Sequence, residues 1–301
     1  MRGPLRPRQT AWAKASVARP VPRCKTQGVS ALTDGIEIWS GGVNTWECDE
    51  MGHLNVRFWV AKALEALGSL AATLGMPQAF STSAGATLLL RESHMRFLKE
   101  ARAGASLWAT GGVVDMGETD ARILIVMRHP NGDPAATFNL VVSHATADDL
   151  RPFEWPERIR KVAEGLMIQV PAFAAARSLD LGPIIKTQAS ADAARRMGLT
   201  RIGLGTIQAQ ELDVFGRMRT EQFIGRVSDG IGRLIHPFRD QVANLADVPH
   251  GQIGGAVLEY RLLQLDWPRA GDRIALRSGL KSVDDRTMRV VHWMIDPDTG
   301  K

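Results

Sequence analysis

The stretch Asp49-Glu50-Met51-Gly52-His53-Leu54-Asn55 decides the fold of this 301-residue chain. Before it, residues 35–39 and 43–47 have the composition of short extended segments. After it, apolar residues recur at the spacing of an α-helix, and they are Val56, Val60, Ala63, Leu64, Leu67, Ala71 and Leu74. The polar residues of this run fall on one narrow arc, so the helix has a wide apolar surface that a sheet is expected to cover.

Four strand-like segments follow the predicted helix. They are rich in aliphatic and β-branched residues and span residues 87–98, 105–116, 121–129 and 135–143. The turns between them contain Gly104, residues 117–120 and residues 130–134, and such turns join neighbouring antiparallel strands. One buried helix followed by an antiparallel meander predicts an α+β fold.

The loop and its surroundings occur a second time in the chain. The stretch Asp213-Val214-Phe215-Gly216-Arg217-Met218-Arg219 aligns with the first loop, since 213 − 49 and 216 − 52 both equal 164. Asp and Gly keep their places in this second loop, whereas Arg217 and Arg219 stand where the first loop has His53 and Asn55. The sequence therefore predicts that Asp49 and Asp213 occupy equivalent positions.

The rest of the second repeat follows at an offset of 167. Residues 269–272 match residues 102–105, and residues 297–301 match the turn at residues 130–134. At this offset Lys301 corresponds to the end of that turn, so the second repeat is predicted to lack a counterpart of the last strand. A missing strand leaves unpaired backbone groups on its neighbours.

The Asp-x-x-Gly-His-x-Asn loop, entering a long helix that a meander follows, resembles the hotdog-fold acyl-CoA thioesterases of the 4-hydroxybenzoyl-CoA thioesterase type. Two copies in one chain resemble the tandem double-hotdog members, which include acyl-carrier-protein thioesterases. The resemblance covers residues 35–145 and 200–301, and residues 146–199 form a connecting segment with helices. It implies two tandem hotdog units, each a long buried helix wrapped by an antiparallel sheet, that form a pseudo-dimer.

Thioester hydrolysis needs a nucleophile or an activated water, and donors aimed at the oxygen that becomes negative. Asp49 supplies a carboxylate, Gly52 lets a carbonyl approach the backbone, and the N–H groups near Gly52 and His53 are predicted to donate at the helix start. The resemblance implies that Asp49 is a nucleophile or a general base, and the sequence leaves that choice open. Asn55 is a candidate for orienting the loop or a water. The alternatives are a cap or Asx turn for Asp49 and a loop-bracing role for His53.

Three further positions are candidates or open questions. Trp59 is a candidate for lining an acyl pocket, although an apolar residue at helical spacing more often belongs to the core. Glu47, beside the loop, is expected to be solvated. Asp229, inside the predicted second helix, is a reserve candidate for an active-site acid, with a solvent-facing position as the alternative.

Two arginines at a helix start oppose the helix dipole unless an anion binds there. Arg217 and Arg219 therefore suggest either a second site that serves as a structural partner or a site for the phosphates of coenzyme A. We prefer the structural role.

The expected activity is hydrolysis of an acyl-CoA in lipid metabolism. Coenzyme A is expected as part of the substrate, with no other cofactor, no metal and no nucleic-acid partner, and a homo-oligomer through the hotdog sheets is a further expectation. The alternatives are a non-catalytic acyl-CoA-binding double hotdog, an acyl-carrier-protein thioesterase, or a hydratase or dehydratase on the same fold.

Composition agrees with two small cores, since 45% of the residues are hydrophobic. The sequence contains no run of 18 apolar residues, so it predicts no membrane span. Its two cysteines, Cys24 and Cys48, are too few for a disulfide framework, which suits a reducing cytoplasm. The net charge of +5 includes a Pro- and Arg-rich segment at residues 1–33 without any acidic residue. That segment has no secretory h-region and is expected to be a disordered extension, with a targeting segment or a nucleic-acid arm as alternatives.

Overall fold

The computed structural model describes residues 35–182, 189–246, 255–284 and 287–301. The basic segment at residues 1–33 lies outside the described residues. In chain order the strands are β1 (Ile36–Gly42), β2 (Ala86–Phe97), β3 (Ser106–Met116), β4 (Asp120–Arg128), β5 (Pro134–Thr146), β6 (Thr200–Thr206), β7 (Glu259–Leu263), β8 (Arg273–Val283) and β9 (Met288–Ile295). The helices are α1 (Val56–Thr73), α2 (Glu157–Glu164), α3 (Ala191–Arg196), α4 (Thr220–Gly230) and α5 (Gly232–Ala246).

Helix α1 begins directly after Asn55, slightly later than the start that the sequence predicts near Gly52 and His53. Asn55 Oδ1 accepts a hydrogen bond from the N–H of Arg57 and so caps the helix. The buried residues of α1 include Trp59, Val60, Ala63, Ala66, Leu67, Leu70 and Ala71. This face packs against β1, β3 and β4. The prediction of a buried helix on an antiparallel sheet is therefore confirmed for the first half of the chain.

The larger sheet has six strands in the order β1-β3-β4-β5-β2-β7, and all neighbours run antiparallel. The four strands predicted after the first helix correspond to β2, β3, β4 and β5, with ends that differ by no more than three residues. Met95 and Phe138 from these strands are at most 1% exposed and join the core beneath α1. The meander is thus predictable from the alternation of apolar residues and the turns between them.

Strand β7 of the second half pairs with β2 of the first half. His94 on β2 stands opposite Arg261 on β7, and these residues are 167 positions apart, which is the offset of the second repeat. The pairing of the two strands is therefore symmetric about His94 and Arg261. A hydrogen bond between Glu259 Oε1 and His94 Nε2 and an ion pair from Arg261 Nε to Glu92 Oε1 cross this junction, each over 2.8 Å. Such cross-strand pairs help to fix the register.

Strands β6, β8 and β9 form a separate three-stranded sheet. In the first half, β5 pairs with both β4 and β2 and so closes the sheet. Within the described ranges no strand lies between β9 and β7, and the strands of the second half are consequently divided between the two sheets.

The second half does not contain one long helix, which corrects that prediction. Helix α4 ends at Gly230 and α5 begins at Gly232. A Cβ at Gly230 would lie 2.7 Å from the carbonyl oxygen of Ile202, so the end of α4 is pressed against β6. Pro237 inside α5 also removes one helical hydrogen bond. Asp229, in the last turn of α4, is exposed, which agrees with the solvent-facing alternative.

The segment between the two halves runs beside β2 and β7. The helices predicted for this segment appear as α2 and α3. Arg96 on β2 donates to the carbonyl oxygen of Phe173 over 2.7 Å, and Glu259 on β7 accepts from the N–H of Ser178 over 2.8 Å. These bonds tie the connecting segment to the junction of the halves. None of the helices in the described ranges is long and apolar enough to cross a membrane.

Candidate active site

The first loop is closed by the side chain and the backbone of Asp49. Asp49 Oδ1 accepts hydrogen bonds from the N–H groups of Met51 and His53, both over 3.0 Å. The N–H of Asp49 donates to the carbonyl oxygen of His53 over 2.8 Å. Oδ1 of Asp49 therefore forms the Asx turn that was the structural alternative for this residue. Asp49 Oδ2 has no hydrogen-bond partner among the described residues, and the residue is partly exposed.

Gly52 makes the sharp turn of this loop. Its φ is +76°, a left-handed conformation that favours glycine. Its N–H donates to the carbonyl oxygen of Asp49 over 3.0 Å. The N–H groups of Gly52 and His53 are thus both occupied within the loop, which corrects the prediction that they donate to a substrate oxygen. The N–H of Val56, the first residue of α1, has no acceptor among the described residues.

His53 lies between two charged side chains of the turn before β3. Its Nε2 is 2.9 Å from Glu100 Oε2 and 2.5 Å from Arg102 Nη2. Arg102 can only donate a hydrogen bond and Glu100 can only accept one. Nε2 therefore bonds to Arg102 when it carries no hydrogen and to Glu100 when it carries one. The backbone of His53 also bridges to Arg102. The ring and the backbone together brace the loop, as the structural alternative for His53 predicts.

Asn55 acts as a cap and holds the helix start in place. Its Oδ1 accepts from the N–H of Arg57 over 2.9 Å, and its own N–H donates to the carbonyl oxygen of Glu47 over 2.9 Å. This arrangement uses the side chain of Asn55 to orient the end of the loop, which was one of its two predicted roles.

Glu47 is buried beneath the loop, so the expectation that it is solvated is wrong. Its side chain is 11% exposed, and its Oε1 lies 2.8 Å from Nζ of Lys62 on α1. Its Oε2 accepts from the N–H of Asn44 over 2.8 Å. The sequence could not show this pair, because Lys62 approaches Glu47 only after α1 packs back against the turn at Thr45–Glu47.

The second loop has the same backbone arrangement as the first. Asp213 Oδ1 accepts from the N–H groups of Phe215 and Arg217, both over 2.9 Å, and Gly216 has a φ of +72°. The ion pair beneath the loop also recurs, from Arg226 Nη2 to Glu211 Oε2 over 2.6 Å. Asp49 and Asp213 therefore occupy the same place between a short 3-10 turn and a helix start.

Arg217 changes the chemistry of the second loop. Its Nε and Nη2 each lie 2.9 Å from Asp213 Oδ2, so both oxygens of this carboxylate are engaged. Arg217 is 4% exposed and stacks on Phe215, with 4.5 Å from its Cζ to the ring centre. Arg219 is more exposed and pairs with Glu221 over 3.1 Å. These contacts agree with the preferred structural role for Arg217.

The last predicted site residue, Trp59, is 4% exposed and lies in the main core with the other buried residues of α1. This position agrees with the core alternative. No cluster of residues suited to a metal ion occurs in the described part of the chain.

The first loop and α1 fall within a stretch that matches a known family. Residues 43–163 match the model of the thioesterase-like superfamily. This thioesterase-like region begins just before the loop and ends within α2. Among the curated proteins, none matches the chain.

Several solved structures are similar to the chain over both halves. A protein assigned as an oleoyl thioesterase from Lactobacillus plantarum has a TM-score of 0.64 at 10% identity, over 89% of this chain and 93% of the other. A 12:0-ACP thioesterase from Umbellularia californica has a TM-score of 0.62 at 10% identity, over 86% and 87%. An acyl-ACP thioesterase from Bacteroides thetaiotaomicron has a TM-score of 0.61 at 10% identity, over 85% and 96%. At this identity the similarity concerns the fold.

Proposed function

We propose that the protein hydrolyses acyl thioesters and that the reaction takes place at the first loop. One observation carries the proposal. Within the thioesterase-like region, Asp49 keeps Oδ2 free on a partly exposed loop directly before a helix start, while Oδ1 is held by two N–H groups. This arrangement fixes the orientation of the carboxylate and leaves one oxygen for chemistry.

The free oxygen has two routes to hydrolysis. It either attacks the thioester carbonyl carbon or takes a proton from a water that attacks the same carbon. In the first route the C–S bond breaks as the thiol leaves, an anhydride forms between Asp49 and the acyl group, and water then cleaves that anhydride to release the acid and restore the carboxylate. In the second route water adds to the carbonyl carbon and the C–S bond breaks as the thiol leaves. The N–H of Val56 at the positive end of α1 is the donor that we assign to the developing oxyanion.

The acyl group is expected to be apolar, because two large hydrophobic side chains near the loop are exposed. Trp46 is 76% exposed and Met51 is 52% exposed. We favour an acyl-CoA as the substrate. An acyl-carrier protein is the second candidate, supported by the names of two structures with a similar fold.

The experiment is a screen of acyl-CoA substrates of different chain length with detection of the free thiol. The same acyl group on a carrier protein is the matched comparison. Faster release from the CoA ester supports our choice, and faster release from the carrier protein selects the second candidate. Binding of acyl-CoA without thiol release from any substrate would contradict the enzyme proposal and favour a non-catalytic binding protein.

We further infer that the two halves act as a pseudo-dimer of hotdog units in which the second loop is a structural partner. The pairing of β2 with β7 is symmetric about His94 and Arg261, which supports this inference. The engagement of both Asp213 oxygens supports the assignment of hydrolysis to the first loop alone.

A further inference from the structure

A pocket of about 380 Å³ lies between β6, β8 and α4 in the second half. Its floor is apolar and consists of Ile202, Ile274 and Leu276, none of which is more than 4% exposed. Its charged lining residues are Arg201, Arg226, Arg233 and Asp229. The lining therefore combines an apolar surface with an excess of positive charge.

The corresponding groove of the first half carries different charges. It lies between β1 and α1 and is lined by Glu37 and Ser69, among other residues. These stand 164 positions before Arg201 and Arg233, so an acid and a hydroxyl in one half are replaced by two guanidinium groups in the other. The repeat thus preserves the groove but not its charge.

The two grooves also differ in how far the basic side chain beside each one is exposed. The ring of Trp39 lies 5.7 Å from Nζ of Lys62, whose side chain is 10% exposed. Gly203 stands in the place of Trp39, and the side chain of Arg226, in the place of Lys62, is 26% exposed. A Cβ at Gly205 would lie only 3.1 Å from Arg226 Nη1, so this glycine also makes room for the guanidinium.

The three guanidinium groups differ in how they are held. Arg226 is fixed by Glu211, with bonds of 3.0 and 2.6 Å from Nε and Nη2. Arg201 and Arg233 are exposed, and their side chains make no ion pair or hydrogen bond with the described residues. One fixed and two unengaged guanidinium groups suit a phosphate, whose oxygens accept paired N–H bonds. The carboxylate of Asp229 can accept a bond from a hydroxyl or amino group of the same ligand.

We propose that this pocket binds a phosphorylated nucleoside, with the phosphate between the three arginines and the nucleoside on the apolar floor. The proposal rests on the proposed function only for the natural ligand, because coenzyme A carries such a group. Binding itself requires no chemistry at the first loop.

The test is a calorimetric titration of the intact protein with adenosine 3′,5′-bisphosphate, with adenosine as the comparison. We expect the bisphosphate to bind more tightly and to bind less tightly as the salt concentration rises. The double substitution Arg201→Gln with Arg233→Gln should raise the Kd about tenfold or more, because it removes two charged donors. Gly203→Trp restores the indole of the first half and should have the same effect.

Arg273→Gln is the matched control. Arg273 also lies in the smaller sheet but pairs with Asp298 outside the pocket, so the Kd should not change. Equal Kd values for the wild type and the double variant, or for bisphosphate and adenosine, would overturn the proposal. Asp49→Asn should bind the bisphosphate as the wild type does. Loss of hydrolysis therefore tests the proposed function, and loss of bisphosphate binding tests the pocket.

Discussion

The guanidinium of Arg217 binds the carboxylate of Asp213, with Nε and Nη2 each 2.9 Å from Oδ2. His53 holds the same place in the first loop but contacts Glu100 instead, and Asp49 Oδ2 stays without a partner among the described residues. Two loops with one backbone arrangement thus differ in whether the aspartate has a free oxygen.

Replacing Arg217 should affect stability more than substrate recognition. Arg217→Ala leaves the Asp213 carboxylate without its partner, and we expect it to lower the free energy of unfolding by about 1 to 3 kcal/mol. Denaturant unfolding measures this change. Because Arg217 is buried and Arg219 pairs with Glu221, Arg217→Ala with Arg219→Ala should shift the KM for a CoA ester and for a small thioester without phosphate equally. A rise in KM for the CoA ester alone would show that these arginines bind phosphate.

The buried pair beneath the first loop is expected to be important for stability. Lys62→Met leaves the carboxylate of Glu47 buried and unpaired, which should cost about 3 to 5 kcal/mol of unfolding free energy. Lys99→Met is the control, since Lys99 pairs with Asp133 on the surface, where both side chains are about half exposed. That substitution should cost about 1 kcal/mol or less. Similar losses for both variants would mean that the Glu47 pair is effectively solvated.

Stability should fall as the pH drops from about 6.5 to about 4. Burial lowers the pKa of His292 to about 4 from its ordinary value near 6.5, so the folded protein binds fewer protons than the unfolded chain in this window. The stabilisation is complete above pH 6.5 and is lost as the pH falls towards 4. Burial also lowers the pKa of His144, so part of the slope belongs to that residue.

Thermal unfolding of His292→Gln between pH 4 and 7 tests this expectation. The variant should lose part of the pH dependence, whereas His236→Gln on the exposed surface of α5 should keep it. An unchanged slope in His292→Gln would contradict the assigned protonation of His292.

The sequence predicted the first half of the fold well because its signals are local. The helical spacing of apolar residues along α1 and the alternation along the strands each lie within the element that they define. The break between α4 and α5 does not follow from the sequence, because it depends on the contact of Gly230 with Ile202 on a distant strand. Gly230 within a helical pattern is visible in the sequence, but only the tertiary structure shows that the helix ends there.

The sequence predicts which residues form the site better than it predicts the role of each residue. Asp49, Gly52, His53 and Asn55 form one loop as expected, but the N–H groups of Gly52 and His53 are used inside it. Those bonds depend on the backbone conformation of the loop. The pairing of Arg217 with Asp213 was open to sequence reasoning, since the two residues stand four positions apart.

The comparison of Asp49→Asn with Asp213→Asn tests the central claim most directly. Asparagine keeps the Oδ1 acceptor of each loop and removes the charge, so the first loop should stay folded. The measurement is thiol release from a thioester that the wild type hydrolyses. The account predicts that Asp49→Asn lowers turnover by a factor of about 100 or more, and that Asp213→Asn lowers stability but leaves turnover near the wild-type value. Wild-type turnover in a folded Asp49→Asn variant would contradict the assignment of hydrolysis to the first loop.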